Sequence, residues 1–136
     1  LGVGAVSGAL PLGMAGPRPP RPLMFAAAAL ACGGLLGLSV VRSVWPAIAM
    51  LFLTGFFGVI AVVACNTTMQ LASTDALRGR VMSIYTLVWG GVFPIGAFMV
   101  GAMSERWGVQ RALATNGAIG LTGVAALLGW WRLRTR

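Results

Sequence analysis

Four apolar windows, each close to twenty residues long, dominate the sequence. They cover roughly residues 23–41, 47–69, 81–103 and 112–131, and residues 1–16 look like the last part of a fifth window. A helix needs about 20 apolar residues to cross the hydrocarbon core of a bilayer. The connections between the windows are short and leave no room for a soluble domain. The pattern therefore predicts an all-α membrane protein, a polytopic bundle of transmembrane helices.

The composition supports this prediction. Of the 136 residues, 58% are hydrophobic and only 9% are charged. A soluble domain carries about 25% charged residues, because its surface faces water. This chain could not cover a globule with polar groups, so its main partner is expected to be the lipid bilayer.

The net charge of +8 raises the possibility of a nucleic-acid partner, but the distribution of the charges argues against it. All ten basic residues are arginines, scattered singly or in small groups between apolar blocks. They form no basic domain face and accompany no nucleic-acid-binding motif. Membrane topology explains them better.

The distribution of the arginines also distinguishes between the two possible orientations of the chain in the membrane. One side of the membrane receives seven of them and the other side three: Arg18, Arg21, Arg78, Arg80, Arg132, Arg134 and Arg136 against Arg42, Arg106 and Arg111. Cytoplasmic loops carry the excess of basic residues. The connections 17–22 and 72–80 and the C-terminus are therefore expected to be cytoplasmic.

The sequence offers little material for catalysis or metal binding. It contains no histidine and no lysine, and Cys32 and Cys65 lie in apolar runs as expected for buried structural thiols. Asp75 and Glu105 flank the span 81–103, which places them about 30 Å apart across the bilayer. No catalytic residue, metal site or cofactor is predicted. The chain begins at Leu1 inside an apolar stretch, as expected for a fragment of a longer protein.

One span carries residues that interrupt regular helix geometry near its middle: Gly90, Gly91, Pro94 and Gly96. Proline removes a backbone donor and bends a helix. Two interpretations remain open, a hinge in a moving helix and a static kink that improves packing. Small residues recur at helical spacing in this and other spans, which favours close helix packing.

A polar stretch, NTTMQLASTDALRGRVMSIY at residues 66–85, separates two of the windows. Asn66 and Gln70 are four residues apart and share a helix face, and Tyr85 and Trp89 repeat that spacing on the next span. Together with Asn116, these side chains are candidates for lining a transport pathway. Interhelical hydrogen bonding is the alternative explanation.

Between the two pairs lies a charged motif formed by Asp75, Arg78, Gly79 and Arg80. Asp75 can cap a short loop helix, Arg78 can pair with it, and Gly79 allows a tight passage into the next span. Alternatively, the arginines only set the topology.

This stretch, followed by GGVFPIGAFMVGAMSERWGVQRAL, resembles the C-terminal half of bacterial major facilitator superfamily transporters, in the branch of enterobactin and drug exporters. The matching residues are Asn66, Gln70, Asp75, Arg78, Gly79, Arg80, Val81, Ser83 and Tyr85. Thr74 stands where that branch commonly has proline.

The resemblance implies that residues 1–16 end the eighth helix of a twelve-helix fold in the inner membrane and that the four spans are helices nine to twelve. The N-terminal half of the transporter would then be a missing partner. It further implies a proton-driven exporter of drug- or siderophore-like small molecules, in which Asp75, Arg78 and Arg80 contribute to a cytoplasmic gate. A non-transporting membrane scaffold subunit is the alternative, and an intramembrane enzyme lacks a catalytic set.

Overall fold

The computed structural model describes residues 1–14 and 20–134. They form five α-helices in chain order: α1 Gly2–Met14, α2 Arg21–Val40, α3 Val44–Ala72, α4 Asp75–Trp107 and α5 Val109–Arg134. No strand occurs in these described ranges. The predicted all-α class is therefore confirmed. Part of the predicted connection 17–22 lies outside the described residues.

Four of these helices, α2 to α5, are long and apolar enough to cross a membrane. They contain 20, 29, 33 and 26 residues, and each residue adds about 1.5 Å along the axis. Helices α3 to α5 therefore exceed the roughly 30 Å hydrocarbon core. Their ends lie at or beyond the level of the lipid headgroups.

The connection between α3 and α4 is shorter than the predicted loop 72–80. Only Ser73 and Thr74 separate the two helices, and α4 begins at Asp75. Thr74 has an extended backbone that starts the helix, and Asp75 lies in the first turn, where a negative charge complements the helix dipole. Gly79 lies inside the helix, so the expected tight passage at this residue was wrong. The hydropathy pattern shows where the apolar, membrane-spanning part of α4 begins, whereas the helix itself extends back to its capping residue, Thr74.

The interval between the windows 81–103 and 112–131 is likewise almost entirely helical. Only Gly108 interrupts the helices there, with φ 85° and ψ 154°. Its N–H donates a 3.0 Å hydrogen bond to the carbonyl oxygen of Ser104, which closes the last turn of α4. This backbone region is open essentially to glycine alone. Helices α4 and α5 therefore form a hairpin with a single connecting residue.

Helix α2 lies between α3 and α5, and α1 packs against α3. Glycines allow the close approach of α1 and α3. A Cβ atom added at Gly4 would overlap the carbonyl oxygen of Phe52, and one added at Gly8 would overlap that of Phe56. In lipid, close backbone approach through small residues replaces hydrophobic burial as the cause of helix association.

Glycines also allow the close approach of α2 and α5. A Cβ atom added at Gly117 would lie 2.8 Å from Cγ of Leu36 and 3.0 Å from the carbonyl oxygen of Cys32. One added at Gly120 would overlap Sγ of Cys32. This part of the small-residue pattern on α5 therefore packs as expected.

Helix α4 is the exception in this bundle. It packs against α5, meets α3 at few points, and buries none of its side chains. A Cβ atom at Gly90 or Gly101 would meet nothing within 4 Å. The small residues of this span therefore have no helix partner among the described elements, contrary to the packing expected from their spacing.

Candidate functional site

The amide pair predicted on α3 forms as expected from its spacing. Nε2 of Gln70 donates a hydrogen bond to Oδ1 of Asn66. Asn66 is half-buried, whereas Gln70 is exposed. The two amides therefore act as one polar patch near the end of α3, with amide groups available on its exposed side.

The aromatic pair on α4 also shares one helix face. The rings of Tyr85 and Trp89 stack with centroids 6.3 Å apart and planes inclined by only 6°. Trp89 remains 50% exposed. The pair thus presents a flat aromatic surface that a planar apolar group could cover.

The amide patch and the aromatic pair lie at different depths along the helix axes. Asn66 is six residues from the end of α3, which corresponds to about 9 Å. Tyr85 is ten residues from the start of α4, or about 15 Å, and Trp89 lies about 21 Å from that start. The aromatic pair is therefore deeper in the membrane than the amides, because α4 begins earlier than the apolar pattern suggests.

Asn116 lies apart from both pairs. Its Nδ2 donates a 2.8 Å hydrogen bond to the carbonyl oxygen of Ala112 in its own helix. It is seven residues from the start of α5, about 11 Å from the hairpin turn at Gly108. Since α3 ends at the opposite membrane face, Asn116 and the amide patch approach the bilayer from opposite sides. The structure does not bring them into one cluster.

The charged motif at the start of α4 contains an ion pair. Nη2 of Arg78 lies 2.9 Å from Oδ1 of Asp75, with the side chains 50% and 91% exposed. Arg80 is also exposed, and its carbonyl oxygen accepts a 2.9 Å hydrogen bond from the hydroxyl of Ser83. The pair belongs to the first turn of a long transmembrane helix rather than to a separate loop helix.

The hinge candidates Gly90, Gly91, Pro94 and Gly96 lie within α4, which continues through all of them. Proline at this position leaves the carbonyl oxygen four residues earlier without its helical donor. Because α4 buries no side chain, a bend here would meet little resistance from neighbouring helices in the described bundle.

Two open grooves lie along the middle of the exposed surface of α4. One has a volume of about 670 Å³ and is lined by Trp89, Val92, Phe93, Gly96, Ala97, Val100 and Gly101. The other, of about 760 Å³, is lined by Met82, Ser83, Thr86, Leu87, Gly90 and Gly91. Ligand pockets enclose most of the ligand surface. Each groove has walls from one helix only, so an enclosed site needs a second wall that the five described helices do not provide.

Sequence reasoning placed Trp130 and Trp131 at the cytoplasmic membrane interface but did not predict the ring contacts that they make where α2 begins and α5 ends. The rings of Phe25 and Trp131 lie 6.2 Å apart, and the guanidinium of Arg134 lies over the ring of Trp130 at 4.4 Å. The spacing of four between Trp130 and Arg134 was a readable signal for this contact. The described residues contain no group of three or more side chains suited to hold a metal ion.

Comparison with known proteins produced one match. A family model described as "Transmembrane secretion effector" matches residues 1–136, the full length of the sequence. No curated protein matches the chain. No solved structure matches it either.

Proposed function

The chain belongs to the transmembrane secretion effector family of the major facilitator superfamily, and on this premise we propose that it is the C-terminal part of a secondary active exporter. The family match along all 136 residues carries the proposal. It agrees with the four membrane-spanning helices, which make the chain a multi-pass membrane protein. In this assignment α1 corresponds to the end of helix eight and α2 to α5 to helices nine to twelve of a twelve-helix transporter.

The proposed activity is efflux of small molecules across the bacterial inner membrane. The resemblance to enterobactin and drug exporters favours drug- or siderophore-like substrates. Such transporters work by alternating access, in which two halves move around a central site. Helix α4 supports a role at that site, because both grooves and the aromatic pair lie on a helix that buries no side chain.

Proton coupling would depend on the N-terminal half. Ionisable groups within the bilayer usually mark proton relays. Asp75 and Glu105 lie in the first and last turns of α4 and are exposed. Neither is placed at the middle of a span. The group that binds the coupling proton is therefore assigned to helices outside this sequence.

The ion pair between Asp75 and Arg78 is proposed to bias a cytoplasmic gate, together with Arg80. Both partners are largely exposed, and exposed pairs contribute about 0–1 kcal/mol each. That contribution is small against the stability of a bundle. It is large enough to shift an equilibrium between two transporter conformations of nearly equal free energy.

The amide patch and the aromatic pair are proposed to border the transport pathway. Amides offer both donors and acceptors, and the parallel rings of Tyr85 and Trp89 offer an apolar face. Asn116 is proposed to approach the pathway from the other membrane face, and the Gly90–Gly96 region to act as the hinge of α4. A pathway that passes these groups would suit uncharged or aromatic substrates of mixed polarity.

The test uses the full-length transporter reconstituted into liposomes. The liposomes are loaded with a fluorescent drug or a siderophore, and its efflux is followed. We expect efflux that depends on the proton gradient. Normal insertion without any gradient-dependent efflux would refute the proposed activity. A scaffold subunit would give that result.

Two sets of variants separate the gate from the pathway. Arg78→Ala with Arg80→Ala should change efflux and the labelling of cysteines placed near the cytoplasmic face, whereas Arg42→Ala should not. Unchanged efflux and labelling would leave only the topological role for these arginines.

Leucine substitutions test the amide patch in the same assay. Asn66→Leu and Gln70→Leu should change the rate or the preference among substrates, with Thr122→Leu on α5 as the control. A loss of expression alone would mean that the amides serve packing.

A further inference from the structure

The cluster formed by Phe25, Trp130, Trp131, Arg132 and Arg134 has a composition suited to the boundary between lipid and water. We call it the α2–α5 terminal cluster. Trp130 is 56% exposed and the adjacent Leu133 is 78% exposed. With about 39 Å of length, α5 exceeds the hydrocarbon core, so its last turns reach the headgroup region. Tryptophan is enriched at this depth because its ring is apolar and its N–H is polar.

The charge at this end of the molecule is strongly positive. Arg132 and Arg134 both lie in the last turn of α5. The chain has only two acidic side chains. Asp75 pairs with Arg78 at the start of α4, and Glu105 lies at the far end of the same helix. Among the described residues, neither acidic side chain forms an ion pair with Arg134.

The position of Arg134 restricts how its guanidinium can bind a ligand. The group lies 4.4 Å from the centre of the Trp130 ring, so the ring attracts it through the cation–π interaction. A guanidinium donates hydrogen bonds at its edge, in the fork geometry that matches phosphate oxygens. The stack therefore favours one position of the side chain, and no described residue accepts a hydrogen bond from its N–H groups.

We propose that the α2–α5 terminal cluster is a binding site for the headgroup of an anionic phospholipid. The arginines bind the phosphate, while Trp130, Trp131 and Phe25 cover the upper acyl chains and the glycerol region. Charge complementarity supports this occupant, because the guanidinium of Arg134 is positively charged and the headgroup phosphate of an anionic lipid is negatively charged. The proposal depends only on membrane insertion and is independent of transport.

The experiment places the 136-residue chain in lipid nanodiscs and uses its own tryptophans as reporters. Trp45, Trp89 and Trp107 are replaced by phenylalanine, which leaves Trp130 and Trp131. Quenching by brominated phosphatidylglycerol is compared with quenching by brominated phosphatidylcholine at the same mole fraction. One arginine near an anionic surface contributes about a five-fold preference. We therefore expect phosphatidylglycerol to be enriched at these tryptophans by about five-fold or more.

Matched variants distinguish a site from general attraction. The double variant Arg132→Gln/Arg134→Gln should lower the preference to about one-fold. The control Arg42→Gln/Arg111→Gln removes two arginines near the other membrane face and should retain it. If the double variant fails to insert, Arg134→Gln alone provides the comparison and should lower the preference several-fold.

Four results would overturn the proposal. They are equal quenching by the two lipids, a preference that persists without the arginines, a preference that the control variant loses equally, and a preference abolished by inorganic phosphate added at constant ionic strength. The last result would show that the cluster binds a free anion rather than a lipid headgroup.

Discussion

Replacement of Gly8 by alanine should separate α1 from α3. The added Cβ atom would overlap the carbonyl oxygen of Phe56, which belongs to the backbone and cannot rotate away. The two helices would have to move apart by about 1 Å to restore an ordinary contact distance. A gap of this size removes about a quarter to a half of the dispersion energy of each atomic contact along the interface. Gly4, one turn earlier, would lose its close contact with Phe52 in the same movement.

The expected cost follows from two opposing terms. Overpacking a close contact costs about 1–3 kcal/mol, whereas exchanging glycine for alanine within a helix contributes about 1 kcal/mol in the other direction. Gly58 provides a matched control, because a Cβ atom added there meets nothing within 4 Å. Since both variants gain the propensity term, their difference isolates the steric term. Gly8→Ala should therefore be less stable than Gly58→Ala by about 1–3 kcal/mol.

This difference is measured by unfolding the chain in mixed micelles. A denaturing detergent is titrated into the micelles, and the loss of helix is followed by circular dichroism. Gly58→Ala should unfold at the wild-type midpoint or slightly above it, and Gly8→Ala below it. Equal midpoints for the two variants would refute the glycine-dependent contact between α1 and α3.

The remaining predictions use the same titration unless another assay is given. Gly108→Ala should destabilise the chain by about 1–3 kcal/mol, because its backbone conformation is strained for any other residue, whereas Gly123→Ala in open space should not. Gly120→Ala should destabilise the chain, because the added Cβ atom would overlap Cys32. A double-mutant cycle with Cys32→Ala should show a coupling free energy of about 0.5–3 kcal/mol. Additive free-energy changes of the two substitutions would contradict this contact. Pro94→Ala should restore a helical hydrogen bond in α4 and slow efflux by the full-length transporter, and unchanged efflux would favour the static kink over the hinge.

The membrane spans were predictable because each depends on local composition. Windows of apolar residues located α2 to α5, and the arginine distribution supplied an orientation that remains a prediction. The helix ends were harder, because hydropathy reports the thickness of the membrane rather than the extent of backbone hydrogen bonding. The sequence did contain signals for the ends of α4: Thr74 before Asp75 marks its start, and Gly108 after Trp107 marks its end.

The contacts between helices were only partly predictable. Spacing correctly paired Asn66 with Gln70, because both belong to one helix. It could not show that Gly4 and Gly8 meet a partner whereas Gly90 and Gly101 face open space, since that depends on the arrangement of separate helices. The separation of Asn116 from the amide patch, by contrast, follows from the order of the spans along the sequence, because Asn66 lies near the end of α3 and Asn116 near the start of α5.

The one-residue connection at Gly108 also has a consequence for membrane insertion during synthesis. A connection this short cannot hold α4 across the bilayer while α5 waits in water, so the two helices must enter as a hairpin. In the orientation that the arginine distribution predicts, Glu105, Arg106 and Arg111 cross the membrane together with this turn, and each charge costs about 2.5–3.5 kcal/mol at the centre of the membrane. Helices α4 and α5 are also less apolar than α2 and α3. Joint entry lets both helices contribute apolar surface to a single translocation event, which neither could drive as readily alone.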